Sequence, residues 1–200
     1  MKKRFGLALA AMLTIGNIAV AGDAIDQYQF DKSHTHILFF IDHLGFSKMV
    51  GQFHDYSGGF SFDEKKPESS KIDVSIKTAS IDTDVPELDT KLAGDKWFNS
   101  EQFPDATFVS TKIEKTGAKT GRVYGNFTLM GVTKPITLDV KFNKTGKYPF
   151  GDIYAAGFEA RGKIFRSAFG MNEGLPFVGD EVDLLIHVEA HRIEPKPVTE

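Results

Sequence analysis

The chain has 200 residues, a formal net charge of −3, 41% hydrophobic and 26% charged residues, and no cysteine. These values are typical of one globular domain, and they exclude collagen, coiled coil, long disordered tracts and a strongly basic nucleic-acid binder. The chain holds 18 phenylalanines against 5 tyrosines and 1 tryptophan. Because phenylalanine has no polar atom, this excess predicts a large apolar interior, which composition alone leaves either solid or hollow.

The first 21 residues have the three regions of a secretory signal. A basic start at 2–4 precedes an apolar stretch that runs to about Val20, and small residues end it at 19–21. We therefore expect cleavage after Ala21, export to the periplasm and one mature domain over 22–200. Loss of the three basic residues leaves 21 basic and 27 acidic residues, a formal net charge of −6, which argues against nucleic acid and anionic lipid surfaces as partners.

The remainder of the chain alternates apolar and polar residues in the manner of β-strands. The clearest alternating stretches are 31–53, 72–77, 122–129, 136–142 and 182–191. Successive strand side chains point to opposite faces, so each strand has one apolar and one polar face, which is typical of antiparallel sheets.

One interruption and the strand count together define the predicted architecture. A short helical insertion is predicted at about 85–103, because Pro86 suits the first position of a helix that ends near Gly94. About eight strands with one apolar face each must close into a barrel or stack as a sandwich. We predict an all-β fold, an eight-stranded antiparallel barrel, with the sandwich as the alternative. Such a barrel can be filled by side chains or can hold one small ligand.

Three histidines of the first long stretch are candidate site residues. His34 and His36 lie two residues apart, a spacing that can chelate a metal when further ligands are present. The neighbouring sequence offers only Asp42 or distant residues as further ligands, so surface histidines are the favoured interpretation and no metal site is predicted. His43 shares the parity of the apolar residues at a strand end, where it is either a rim residue or a polar contact for a ligand headgroup.

Arg166 is the charged residue that stands out, because it lies between bulky apolar neighbours near a predicted strand end. An arginine there can clamp a phosphate at the barrel mouth or brace a loop through backbone carbonyls. The sequence has no nucleophile elbow and no phosphate-binding glycine loop followed by a helix. We therefore predict no catalytic residue and no cofactor.

Four blocks of sequence resemble the YceI-like family of exported bacterial proteins, from about Gln27 to Ala190. They are Asp31-x-x-His34-Thr35-x-Ile37-x-Phe39-x-Ile41-x-His43 with Val50-Gly51-x-Phe53; Leu92 and Trp97-Phe98 with Phe103-Pro104-x-Ala106-x-Phe108; Gly125-x-Phe127-Thr128-Leu129-x-Gly131-Val132-Thr133-Lys134-Pro135; and Gly157-Phe158-x-Ala160 with Arg166-Ser167-x-Phe169-Gly170-Met171 and Val178-Gly179-Asp180-Glu181-Val182. The chain departs from the family pattern at Phe165 and Ala168, where the family usually has Asn and Asp.

The resemblance implies a lipocalin-like barrel whose apolar cavity takes up a polyisoprenoid chain, carried by an isoprenoid quinone or an isoprenyl phosphate. The residues that would line this cavity are Ile37, Phe39, Ile41, Phe53, Phe108, Phe127, Leu129, Leu138, Val140 and Phe158. His43 and Arg166 are the candidate polar contacts at its mouth, and the family makes a homodimer plausible.

The favoured function is therefore a non-enzymatic periplasmic carrier of an isoprenoid lipid. One alternative is an enzyme on an apolar substrate that uses His34, His36 or His43. The other is a filled barrel whose outer surface binds a protein partner such as a membrane redox protein; it predicts continuous side-chain packing and no cavity.

Overall fold

A computed structural model describes residues 25–193, so the predicted signal and the residues after 193 lie outside the described part. The strands are β1 Asp26–Phe30, β2 His36–His43, β3 Ser47–Phe53, β4 Tyr56–Phe62, β5 Lys71–Lys77, β6 Ile81–Asp82, β7 Asp105–Lys115, β8 Thr120–Leu129, β9 Val132–Lys147, β10 Tyr154–Phe165 and β11 Val178–Ile193. One α-helix, α1, spans Pro86–Ala93, and short 3₁₀ turns span Pro67–Ser69, Thr78–Ser80 and Arg166–Phe169.

Eight of these strands form a closed ring. Their order is β1, β4, β5, β7, β8, β9, β10 and β11, and pairing of β11 with β1 closes the ring. Every pairing is antiparallel. The predicted eight-stranded antiparallel barrel is confirmed, and closure of the ring distinguishes it from the sandwich.

The other three strands extend the wall at one end of the barrel. Strand β2 pairs with residues 178–187 of β11, whereas β1 pairs with its last four residues. Strand β3 pairs with β2, and the two-residue β6 pairs with the end of β3. The first alternating stretch, 31–53, thus begins with a turn over residues 31–35 and is divided by a second turn over 44–46 into β2 and β3. These two strands and β6 lie outside the closed ring, so more strands are present than the eight predicted.

Helix α1 confirms the short helical insertion. Pro86 occupies its first turn, and the carboxylate of Asp89 accepts hydrogen bonds from the backbone N–H and hydroxyl of Thr83, at 2.8 and 2.7 Å. The helix ends at Ala93, where the Gly94 N–H donates to the carbonyl of Lys91. Turns rather than helix follow as far as residue 104.

Aromatic rings fill one end of the barrel. The aromatic cluster consists of Tyr28, Phe60, Phe62, Phe142 and Phe158, whose ring centroids lie 5.0–5.5 Å apart in stacked, tilted and edge-on pairs. Contacts of this kind add to the stabilisation from burial alone. This end of the interior is solid, and we call it the packed end.

Candidate functional site

The opposite end of the interior is hollow. A cavity of about 350 Å³ lies above the aromatic cluster, with Phe60 and Phe158 among its lining residues. This volume falls within the range of small-molecule sites. Its wall is almost wholly apolar, so the cavity suits a ligand or ligand segment without polar atoms. The filled-barrel alternative, which predicts continuous packing, disagrees with this geometry.

Nine of the ten predicted lining residues lie on the cavity wall. They are Ile37, Phe39, Ile41, Phe53, Phe108, Phe127, Leu129, Leu138 and Phe158. Val140 does not line the cavity; it points inward but packs in a cluster with Phe108, Val123 and Leu138. Contact of these residues with a ligand stays a prediction.

Cavity-lining residues that the sequence reasoning missed come from helix α1 and the segment after it. Leu88, Lys91 and Leu92 of α1 line the cavity, as do Trp97 and Phe98. Strand alternation carries no information about these residues, because they lie outside the strands. The helical spacing of Leu88 and Leu92 was the available indication that one face of α1 covers the interior.

Two strand glycines leave room for phenylalanine rings of the cavity wall. A Cβ atom on Gly51 would lie 2.3 Å from the ring of Phe39, its cross-strand partner. A Cβ atom on Gly125 would lie 2.3 Å from the ring of Phe108. The outer end of each ring therefore lies over a bare backbone, and a glycine inside an alternating strand was the sequence indication of this close approach.

Arg166 braces a loop. Its side chain is 1% exposed, and its guanidinium donates four hydrogen bonds to backbone carbonyls. The acceptors are Met171, Glu173, Val178 and Gly179, at 2.9, 2.8, 3.0 and 2.7 Å. The guanidinium also lies over the Trp97 ring, 5.3 Å from its centroid. Four of the five N–H groups of the guanidinium thus donate to backbone carbonyls of the protein. Bracing a loop is the second of the two alternatives predicted for Arg166.

The departures from the family pattern lie on the outer wall. Phe165 is 55% exposed, and together with Ala168 and Phe40 it borders a groove on the outside of the barrel. The loss of polar groups at Phe165 and Ala168 therefore does not change the cavity wall.

His43 lies at the mouth of the cavity. It is an exposed lining residue at the end of β2, and the exposed residues Val50 of β3 and Lys91 of α1 also line the cavity. The turn after His43 carries Leu44 and Phe46, which are 48% and 89% exposed. The Leu44 N–H donates to the carbonyl of Phe177, itself 69% exposed, at 2.9 Å. Leu44, Phe46 and Phe177 thus form an apolar rim beside the mouth.

The other two candidate histidines are separated from His43. His34 lies in the 31–35 turn, and its Nδ1 is 2.6 Å from Oδ2 of Asp31, whose hydrogen bond and charge raise the pKa of His34. His36 is the first residue of β2 and pairs with His187 across to β11. Because His36 and His43 occupy opposite ends of an eight-residue strand, they are about 23 Å apart. His43 is thus separated from His36 by the whole length of β2.

Comparison of the sequence with known proteins shows the family of this chain. The YceI-like domain matches residues 28–190 of the chain. The chain belongs to the YceI-like family. It is 44% identical to a UPF0312 protein of Serratia proteamaculans over 96% of this chain and 97% of that protein.

Solved structures of similar proteins have the same architecture. BcnA of Burkholderia cenocepacia superposes with a TM-score of 0.73 at 26% identity. The match covers 80% of this chain and 98% of BcnA. A polyisoprenoid binding domain from Saccharophagus degradans superposes with a TM-score of 0.61 over 85% of this chain and 100% of that domain. At 11% identity the second likeness shows the fold alone. Within residues 25–193, no helix has the length and apolar character of a membrane-spanning segment.

Proposed function

We propose that this protein is a non-enzymatic periplasmic carrier that holds the chain of an isoprenoid lipid inside its barrel. The observation that carries the proposal is the apolar cavity of about 350 Å³ in a YceI-like fold. The polyisoprenoid binding domain with the same fold supports this choice of ligand.

The physical basis is burial of an apolar chain. Removing apolar surface from water stabilises a complex by about 25 cal/mol per Å². Immobilising a flexible chain offsets part of this gain. A prenyl chain has no polar atom that needs a hydrogen-bond partner, so the wall needs only shape and apolar character. The headgroup would stay at the mouth, near His43 and Lys91.

The apolar rim supports uptake of the lipid from a membrane. Leu44, Phe46 and Phe177 lie on two segments that meet beside the mouth. Exposed apolar side chains grouped at a cavity entrance are typical of a surface that contacts lipid or protein. A prenyl chain longer than the cavity would continue across this rim.

Trp97 makes the proposal testable, because the only tryptophan of the chain lies in the cavity wall. We expect an isoprenoid quinone to quench Trp97 fluorescence saturably, and a polyprenyl phosphate to displace the quinone. The matched control is the same quinone headgroup without its isoprenoid chain, which should leave the fluorescence unchanged. Native mass spectrometry should show the lipid bound one to one. Absence of saturable binding for both lipids would contradict the proposal.

A further inference from the structure

Four side chains of types that bind metals lie together on the outer face of the barrel. They lie where β1 ends and the 31–35 turn bonds to the backbone of β11. Asp31 and His34 belong to the turn, and Glu189 and His191 belong to β11. Residues 188 and 190 of β11 face the interior, so Glu189 and His191 face outward. The cluster is therefore separate from the lipid cavity.

The ligand atoms of Asp31, His34 and Glu189 all lie within 4.8 Å of one another, and His191 Nε2 lies within 4 Å of two of them. His34 Nδ1 lies 2.6 Å from Asp31 Oδ2 and 4.0 Å from Glu189 Oε1. His191 Nε2 lies 3.5 Å from Asp31 Oδ2 and 3.9 Å from Glu189 Oε1. Ligand atoms at about 2.0–2.1 Å from a tetrahedral zinc ion lie about 3.3 Å from one another. Four of the six separations among these atoms are thus within 1 Å of that value.

Two of these atoms have no hydrogen-bond partner within residues 25–193. Glu189 Oε1 and His191 Nε2 are both buried from solvent and 3.9 Å apart. Leaving a buried polar atom unpaired costs about 1–3 kcal/mol, so such atoms in a native protein need an explanation. The hydrogen bond between His34 and Asp31 accounts for those two side chains. The Tyr148 hydroxyl interacts with the Glu189 carboxylate, and His191 Nε2 faces Asp31 Oδ2 at 3.5 Å, but Glu189 Oε1 and His191 Nε2 themselves make no hydrogen bond within the described part of the chain. A cation between the four side chains would satisfy both atoms.

The backbone that carries the ligands is held in place. The Thr35 hydroxyl donates to the Glu189 carbonyl at 2.7 Å and accepts from the Glu189 N–H at 3.1 Å. The Asp31 N–H donates to the same carbonyl at 2.9 Å. The Ser33 N–H donates to Asp31 Oδ1 at 2.9 Å, which leaves Oδ2 facing the cluster. Partners of this kind around a ligand set fix its geometry before a metal binds.

We propose that Asp31, His34, Glu189 and His191 form a surface binding site for a divalent transition-metal ion. Two imidazoles and two carboxylates suit zinc, which accepts nitrogen and oxygen ligands in a tetrahedron. The sequence pattern pointed only to His34 and His36, because the ligands on β11 are more than 150 residues away in the chain. His36 is not one of the four.

The test is a calorimetric titration of the untagged, chelator-treated protein with zinc chloride. We expect one zinc ion per chain, and affinity reduced by at least about tenfold in His34→Ala and in His191→Ala. The control is His54→Ala: His54 makes a similar pair with Asp82, 2.7 Å apart, outside the cluster. This variant should bind zinc as the unchanged protein does. Thermal unfolding without metal verifies that each variant is folded, and His34, the most exposed ligand, gives the variant least expected to disturb the fold.

Three outcomes would overturn the proposal: no zinc binding by the unchanged protein, equal binding by the double variant His34→Ala/His191→Ala, or equal loss of affinity in His54→Ala. Lipid binding, followed through Trp97, should be the same in all these variants, because the cluster lies outside the cavity. Failure of the metal site would therefore leave the proposed lipid-carrier function standing, and failure of lipid binding would leave the metal site standing.

Discussion

Replacement of Arg166 by alanine is expected to lower the free energy of unfolding by about 3–5 kcal/mol. The substitution removes the donors of four hydrogen bonds from carbonyls of the 171–179 loop. It also removes the guanidinium that lies over Trp97. Urea unfolding followed by circular dichroism would measure the change. Arg166→Lys should recover little of the loss, because an ammonium group lacks the planar fork that reaches several carbonyls.

A second arginine of the same region provides the control. Arg161 lies on β10, is exposed, and pairs with Glu159 at 2.8 Å. Arg161→Ala should change the free energy of unfolding by no more than about 0.5 kcal/mol, since exposed ion pairs contribute little. If Arg166 instead clamps a lipid phosphate, Arg166→Ala will keep its stability and lose affinity only for the phosphorylated lipid. That result would contradict the role of Arg166 as a brace.

The strands and the barrel could be predicted because burial on one face imposes a period of two on the sequence. In β11, Val182, Leu184 and Ile186 line the cavity, whereas Asp183 and Glu189 lie on the other face. A shift of one residue would reverse every side chain, so this pattern specifies the register strongly. Neither the order of the strands nor closure of the ring was needed to assign the faces.

The partners of Arg166 and the break between β1 and β2 could not be predicted in the same way. Both depend on contacts between segments far apart in the sequence. Thr35, for example, bonds to Glu189 across 154 positions, and this contact holds the turn between β1 and β2. Alternation of apolar residues is a local property and carries no information about which distant carbonyl a side chain reaches.

The division of the interior into hollow and packed parts was also beyond the sequence pattern. Val140 and Leu138 share one face of β9, yet Leu138 lines the cavity and Val140 does not. Their difference is position along the barrel axis, which parity does not encode. The excess of phenylalanine serves both parts of the interior. Some rings form the aromatic cluster, and others, such as Phe39 and Phe108, reach over glycines around the cavity.

Two alanines of β10 test this division directly. Ala160 lines the cavity, whereas Ala156 is 1% exposed at the packed end and pairs with Ala190. Ala160→Phe should place a ring in the cavity and weaken lipid binding by at least about tenfold, equivalent to ~1.4 kcal/mol. Its free energy of unfolding should change by less than about 1 kcal/mol, because the ring enters existing space. Quinone quenching of Trp97 and urea unfolding would measure the two effects.

Ala156→Phe should give the opposite combination. Added volume at the packed end meets Tyr28 and the neighbouring rings, so the free energy of unfolding should fall by about 1–3 kcal/mol. The folded variant should still bind the lipid, because the cavity is unchanged. If both variants lose stability equally and bind lipid equally, the interior is packed throughout and the chain is not held there. The two substitutions are identical in chemistry and lie four residues apart on one face of one strand, so any difference between them reports the position of the cavity along the barrel.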